Sequence, residues 1–170
     1  MKQKILLAIT MSIACSFITK PFSFTIGTVD PSGVVKAKLE KSTAMIQTKG
    51  NTSLTSSSYT IGLAKSPVRI KIRDAVFQSS SDDPNSFLSS SDYISLYRLT
   101  SDKKNRSFTI NTDGTTNAAL IPINFIAGET RLNTKLMPAQ ALLPGEYAFV
   151  DMSTKTADGN ITIWGFGIDN

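Results

Sequence analysis

The sequence predicts an all-β protein with a single domain, folded as an antiparallel β-sandwich. Short segments rich in β-branched and aromatic residues recur at intervals of about 8–12 residues, and clusters of Gly, Asn, Asp and Ser separate them. Hydrophobic residues make up 41% of the 170 residues and charged residues 18%, which is enough apolar material for one packed core.

The amino terminus predicts a signal peptide over residues 1–16. Lys2 and Lys4 form a short basic start, and the apolar stretch Ile5–Ala14 that follows is too short to span a membrane. Small residues at the end of this stretch favour cleavage near residues 14–16. We therefore expect an exported protein, located in the periplasm or outside the cell.

The chain has one cysteine and no histidine, which excludes whole classes of chemistry. A Ser-His-Asp triad, a Cys-His dyad, an intrachain disulfide and a thiolate zinc cluster are all impossible. Cys15 lies in the expected cleavage zone and has two interpretations. Lipidation would make the protein a membrane-anchored lipoprotein, whereas removal with the signal would leave a mature domain without a thiol.

The sandwich domain is expected to span residues 34–170, and residues 17–33 are either an N-terminal extension or the first strand. In Val68–Arg73, three β-branched residues alternate with three cations, as in a strand with one buried and one solvated face. The Ser-rich stretches Gly50–Ser58 and Ser79–Ser91 predict long surface loops. The other predicted strands are Lys36–Gln47, Tyr93–Leu99, Arg106–Ile110, Ile121–Phe125, Arg131–Leu136, Glu146–Met152 and Ile161–Ile168, of which the last four pair as two hairpins.

A local motif makes the predicted sandwich immunoglobulin-like. Pro144 and Gly145 predict a type II turn, and Tyr147 follows at the position of a tyrosine corner, where the ring enters the core and the hydroxyl bonds to a nearby backbone group. Trp164 and Phe166 alternate on the last strand and are expected to pack into the same core. These five residues are predicted to have structural roles.

Several short motifs follow one another between residues 36 and 170. They are Leu39–Lys49, Ser66–Arg69, Leu96–Leu99 with Lys103–Arg106, Pro138 with Leu142, Pro144–Phe149, and Phe166–Asp169. In this order they resemble a family of exported bacterial β-sandwich proteins of unknown activity that carries a late LxPGEYAF…FGID signature. The resemblance implies a β-sandwich and export, and it implies no activity. The Ser-rich stretch before Tyr93 is longer here than in that family.

The sequence predicts no catalytic residue, no metal site and no cofactor. The serines lie mostly in polar stretches rather than in an S-x-x-K motif at a helix start. The spacing selects no pair for glycoside hydrolysis among the carboxylates. Those considered are Asp82, Asp83, Asp92, Glu129, Glu146 and Asp151. Positive charges are dispersed rather than gathered in a broad stripe, so nucleic-acid binding is not expected.

Two groups of cations are candidate contact surfaces, with ordinary solvated faces as the alternative. They are the predicted turn with Lys103, Lys104 and Arg106, and the solvated strand face with Arg69, Lys71 and Arg73.

The leading hypothesis is a non-enzymatic protein of the bacterial envelope that acts by binding or assembly. Its partner would be an envelope or extracellular protein or a glycan, with membrane contact only if Cys15 is lipidated. One alternative is a glycan-binding module with Trp164, Phe166 and Tyr147 as an exposed stacking platform, and another is a small Ser/Lys or carboxylate hydrolase. An assembly protein should expose an unpaired edge strand or an apolar patch.

Overall fold

The computed structural model describes residues 24–30, 32, 34–47, 56–71, 75–81, 93–113, 115, 117–127 and 133–170. Strands dominate these ranges, together with one 3-10 turn over Met152–Thr154, so the predicted all-β class is confirmed. No helix in the described ranges is long and apolar enough to cross a membrane. The strands are β1 Phe24–Val29, β2 Val35–Lys38, β3 Glu40–Ile46, β4 Ser56–Gly62, β5 Arg69–Lys71, β6 Phe77–Ser81, β7 Ile94–Ser101, β8 Asn105–Asn111, β9 Leu120–Ile121, β10 Ile123–Ala127, β11 Asn133–Pro138, β12 Gly145–Asp151 and β13 Ile161–Asp169.

The strands form two sheets, one of which closes on itself. The first sheet has the order β10-β11-β6-β1-β2. The second has the order β12-β13-β3-β4-β8-β7, and β12 also pairs with β7, which closes a six-stranded antiparallel barrel. β9 pairs with β7 outside the ring, and β5 pairs in parallel with the end of β13. The closure leaves the barrel without edges among its six strands.

Side-chain alternation along β12 and β13 supplies two separate cores. Tyr147 and Phe149 belong to a cluster that includes residues of the five-stranded sheet, such as Phe77. Ala148 and Val150 point the other way, into a cluster built from barrel strands. Both faces of this hairpin are therefore buried, which explains why its sequence is almost continuously hydrophobic.

The two predicted hairpins are confirmed. β10 pairs with β11 so that Phe125 lies opposite Leu136, and β12 pairs along its full length with residues 162–168 of β13. In the predicted strand Lys36–Gln47, buried Leu39 separates β2 from β3, and its N–H donates to Ile26 O at 2.9 Å. The range 17–33 contains β1, which pairs with β6.

Both predicted Ser-rich loops are wrong at one end. Ser56–Ser58 belong to β4, and Ser79–Ser81 belong to β6. Serine has weak strand preference, but here the neighbouring strands β8 and β1 supply the ladder partners that decide the conformation. The rest of these two stretches, the predicted signal peptide and Cys15 lie outside the described residues.

Candidate functional site

The cation group predicted in the turn divides between the surface and the interior. Lys103 and Lys104 are exposed between β7 and β8, as expected. Arg106 is completely buried, so its prediction as a contact residue is wrong. It shares its side of β8 with Phe108 and Ile110, and that side faces the inside of the barrel.

The second cation group is also only partly available. Lys71 is exposed on β5, and Arg73 lies outside the described residues. Arg69 keeps about a third of its side chain exposed, but its guanidinium is already paired with Asp169, at 2.5 Å, and with Glu146. Arg69 is therefore not the unoccupied contact cation that the alternation predicts.

Both arginines belong to a group of polar side chains that we name the barrel-end cluster. Its members are Arg106, Arg69, Glu40, Glu146, Asp169 and Ser66. The cluster lies where β3, β8 and β12 begin and where β4 and β13 end. Glu146 shares its side of β12 with Ala148 and Val150, which directs its carboxylate toward the barrel interior.

Arg106 is the deepest member of the barrel-end cluster. Its Nη2 donates to Glu40 Oε2 at 3.0 Å and to Gly62 O at 3.2 Å, and its Nε donates to Leu63 O at 3.1 Å. Its Nη1 has no hydrogen-bond partner in the part of the chain that the structure describes, and it lies 3.8 Å from Glu146 Oε2. The guanidinium thus joins the end of β4 to the start of β3.

Ser66 attaches the segment after β4 to the same acids. Its hydroxyl donates to Glu40 Oε2 at 2.8 Å, and its backbone N–H donates to Glu146 Oε2 at 2.8 Å. The carbonyls of Gly62 and Leu63 accept from Arg106 just before it. Residues 62–66 are therefore tied to the end of the barrel through both acids and the buried arginine.

Two glycines of β13 make room for the two guanidiniums. A Cβ at Gly165 would lie 2.9 Å from Arg106 Nη1 and 3.1 Å from Glu40 Oε2, and a Cβ at Gly167 would overlap Arg69. Sequence reasoning missed this role, although glycines that alternate with Trp164 and Phe166 within a strand are a signal of close approach.

The cluster's charges stabilise one another. Hydrogen bonds from Arg69, followed by its positive charge, lower the pKa of Asp169, and the bond to Asp169 is the largest cause of a raised pKa for Arg69. Glu146 accepts from Arg69 and from the Ser66 backbone. Since these charged groups are already paired with one another, we interpret the role of the barrel-end cluster as structural. It fastens residues 62–66 and β5 to this end of the barrel, and we call this role a structural lock.

The carboxylates considered for hydrolysis do not form a pair where the structure describes them. Glu146 and Asp151 lie at opposite ends of β12, which places them roughly 17 Å apart at the rise of an antiparallel strand. This exceeds the spacing that glycosidases use. Asp151 instead caps the 3-10 turn by accepting from Ser153 N and Oγ. Asp82, Asp83, Asp92 and Glu129 lie outside the described residues.

The predicted structural aromatics are buried. Trp164, Phe166 and Tyr147 are at most 2% exposed and cannot form a stacking platform. Tyr147 Oη donates to Leu143 O at 2.6 Å, as predicted for a tyrosine corner. Gly145 opens β12 with a φ of 157°, far from the value near +80° of a type II turn, so that predicted turn is wrong.

Among the described residues, the five-stranded sheet has two outer strands, β2 and β10. All four residues of β2 are exposed, and they include Lys36 and Lys38. β10 has the sequence Ile-Asn-Phe-Ile-Ala and carries no charge. Lysines commonly protect an edge from pairing with another chain, so β10 is the less protected edge.

The backbone pattern shows which groups of β10 face outward. Ala139 N donates to Pro122 O, which makes Pro122 and Ala139 a hydrogen-bonded pair of the β10–β11 ladder. Because such pairs alternate in an antiparallel ladder, Asn124 and Ile126 bond inward to β11. The N–H and C=O groups of Ile123, Phe125 and Ala127 therefore point away from β11, along the outer edge.

Exposed apolar side chains accompany this edge. Ile126 is 46% exposed on β10 and Met137 is 40% exposed on β11. A groove of about 300 Å³ continues from Met137 past Val76 to the segment 138–142. We take the outward edge of β10 with Ile126 as the candidate functional site. No family model, no curated protein and no solved structure matches this chain.

Proposed function

We propose that this chain is a non-enzymatic protein of the bacterial envelope that acts by binding or assembly through the β10 edge. The observation that carries the proposal is an uncharged strand that is outermost among the described residues and whose outward backbone groups lie beside exposed Ile126. Such an edge accepts an extended peptide strand, because main-chain hydrogen bonds supply affinity and neighbouring side chains supply selectivity.

The chemistry of the β10 edge favours a polypeptide partner. A strand edge offers alternating amide donors and carbonyl acceptors at the spacing of another β-strand. A glycan partner would instead require exposed aromatic rings, and the three aromatics considered for that role are buried. These three aromatics therefore do not support the glycan-binding alternative.

Export, an immunoglobulin-like sandwich and membership of the exported family form part of the same proposal. The basic and apolar start of the chain supports export. The hydrogen bond from Tyr147 to Leu143 O supports an immunoglobulin-like interpretation of the region in which β12 packs on the five-stranded sheet. With export, the partner would be an envelope or extracellular protein.

Site-specific photo-crosslinking in the producing cells tests the proposal. A photoreactive residue at Ile126 is expected to give a discrete adduct, because that side chain flanks the contact edge. The same residue at Leu63, which is 60% exposed after β4, is the matched control and should give none. An absence of adducts at Ile126, or identical adducts at both positions, would contradict binding through β10.

A further inference from the structure

We propose that the partner strand at the β10 edge is β10 of a second copy of this chain. The two strands pair antiparallel about a two-fold axis at Phe125 and join the two five-stranded sheets into one continuous sheet. This inference rests on the proposed function, because it names the occupant of the same edge.

The outward backbone groups of β10 are self-complementary. They belong to Ile123, Phe125 and Ala127, which are spaced symmetrically about Phe125. A two-fold axis there places Ile123 opposite Ala127 of the second copy and Phe125 opposite its own equivalent. Each opposed pair exchanges an N–H and a C=O in both directions, so the whole outward edge is bonded without a register shift.

The side chains suit the same register. Ile126 of one copy faces Asn124 of the other, and both are exposed in the single chain. On the opposite face of the sheet, the two Phe125 rings become cross-strand neighbours beside the cores that they already contact. Since no residue of β10 is charged, self-pairing brings no like charges together.

The other edge of the same sheet shows the contrast. Self-pairing of β2 would bring Lys36 and Lys38 of two copies close together, and like charges across strands are destabilising. The pairing of β2 with β1 is also irregular between Thr28 and Val29, so this edge is less suited to a regular ladder. Charge and regularity thus both direct self-association to β10.

Light scattering after size exclusion, from micromolar to submillimolar concentrations, measures the mass of the purified full chain. The unaltered chain should approach twice the monomer mass. Ile126→Lys should shift it toward the monomer, because it removes the exposed apolar side chain at the contact and places the two lysines diagonally across the new strand pair, where like charges repel. Val35→Lys makes the same kind of change at the exposed β2 edge and should leave the dimer intact.

The register is tested by disulfide formation in a Cys15→Ser background. Asn124→Cys mixed with Ile126→Cys should cross-link on oxidation, because directly opposed non-hydrogen-bonded residues have Cα atoms about 4.5 Å apart. Either variant alone should cross-link far less, since its equivalent in the second copy lies about two residues along the strand.

The outcomes separate this inference from the proposed function. A monomer at all concentrations, or a dimer that survives Ile126→Lys, would overturn pairing between two β10 strands. If the photoreactive residue at 126 then captures a different protein, the proposed function stands without the second copy. If it captures nothing, both are overturned.

Discussion

Replacement of Arg106 by methionine is the sharpest test of the barrel-end cluster as a structural lock. Methionine keeps a long side chain in the barrel but removes the charge and its donors. Glu40 then loses its buried partner, and the carbonyls of Gly62 and Leu63 lose theirs. The change therefore leaves the Glu40 carboxylate without its charged partner, with the Ser66 hydroxyl still donating to it, and leaves two backbone carbonyls without their arginine donor.

The structure sets the expected magnitude. Breaking a buried ion pair by removing one partner typically costs about 3–5 kcal/mol. The Glu40 side chain keeps 17% of its surface exposed, so water can partly replace the lost bonds. We therefore expect Arg106→Met to lower the free energy of unfolding by about 3 kcal/mol, at the low end of that range. For a chain of this length, this corresponds to a decrease in Tm of about 10 °C.

Urea denaturation at pH 7 measures this change, and the chain contains its own reporter. Trp164 is the single tryptophan and is 2% exposed, so its fluorescence should respond to exposure on unfolding. Lys104→Met is the matched control, because it removes a positive charge at an exposed position and should change stability by less than about 0.5 kcal/mol.

A double variant separates the ion pair from general packing. Arg106→Met combined with Glu40→Gln removes both charges, so the double variant should be more stable than the sum of the two single losses predicts. The difference should be about 1–3 kcal/mol, as for residues in one network. Strict additivity, or an Arg106→Met variant as stable as Lys104→Met, would refute the structural lock.

Three further predictions concern neighbouring features. Gly165→Ala should lower stability in urea by about 1–3 kcal/mol through crowding of buried Arg106, and an unchanged midpoint would show that the barrel accommodates the Cβ. Tyr147→Phe should cost about 1 kcal/mol by removing the hydroxyl that bonds Leu143 O; no loss would assign the corner no energetic role. The pKa of Asp169 is lower in the folded state than its ordinary value near 3.8. The contribution of Asp169 to the free energy of unfolding is therefore fully present above that ordinary pKa, and it is lost as the pH falls through the lower pKa of the folded state. The difference in urea midpoint between the unaltered chain and Asp169→Asn should therefore be constant from about pH 5 to 8 and vanish in stronger acid, and a difference that grew on acidification would contradict the sign.

Strand positions could be predicted where the chain carries a strong local signal. The alternation around Ile70 and the apolar runs on both sides of Gly159 gave strands that the structure contains. The prediction failed at Ser56–Ser58 and Ser79–Ser81, where polar residues adopt strand conformation because adjacent strands bond to them.

The candidate sites were harder to predict, because a charged residue carries no local mark of burial. Arg106 follows two lysines in a polar turn, and those lysines are indeed exposed. Only the alternation of side chains along β8, which places Arg106 on the same side as Phe108 and Ile110, indicated that it points into the barrel. The importance of β10 likewise depended on its outermost place among the described strands of the sheet, which its own five residues do not show.

The sequence by itself determined the all-β class, the two late hairpins and the tyrosine corner, since all three depend on residues close together along the chain. The tertiary structure decided that β12 meets β7 and closes the barrel, that two arginines become part of the structural lock, and that β10 is outermost among the described strands of its sheet. These outcomes depend on contacts between residues about 50 to 100 positions apart, and such contacts set which face is buried, which charge is paired and how the described strands are ordered in each sheet.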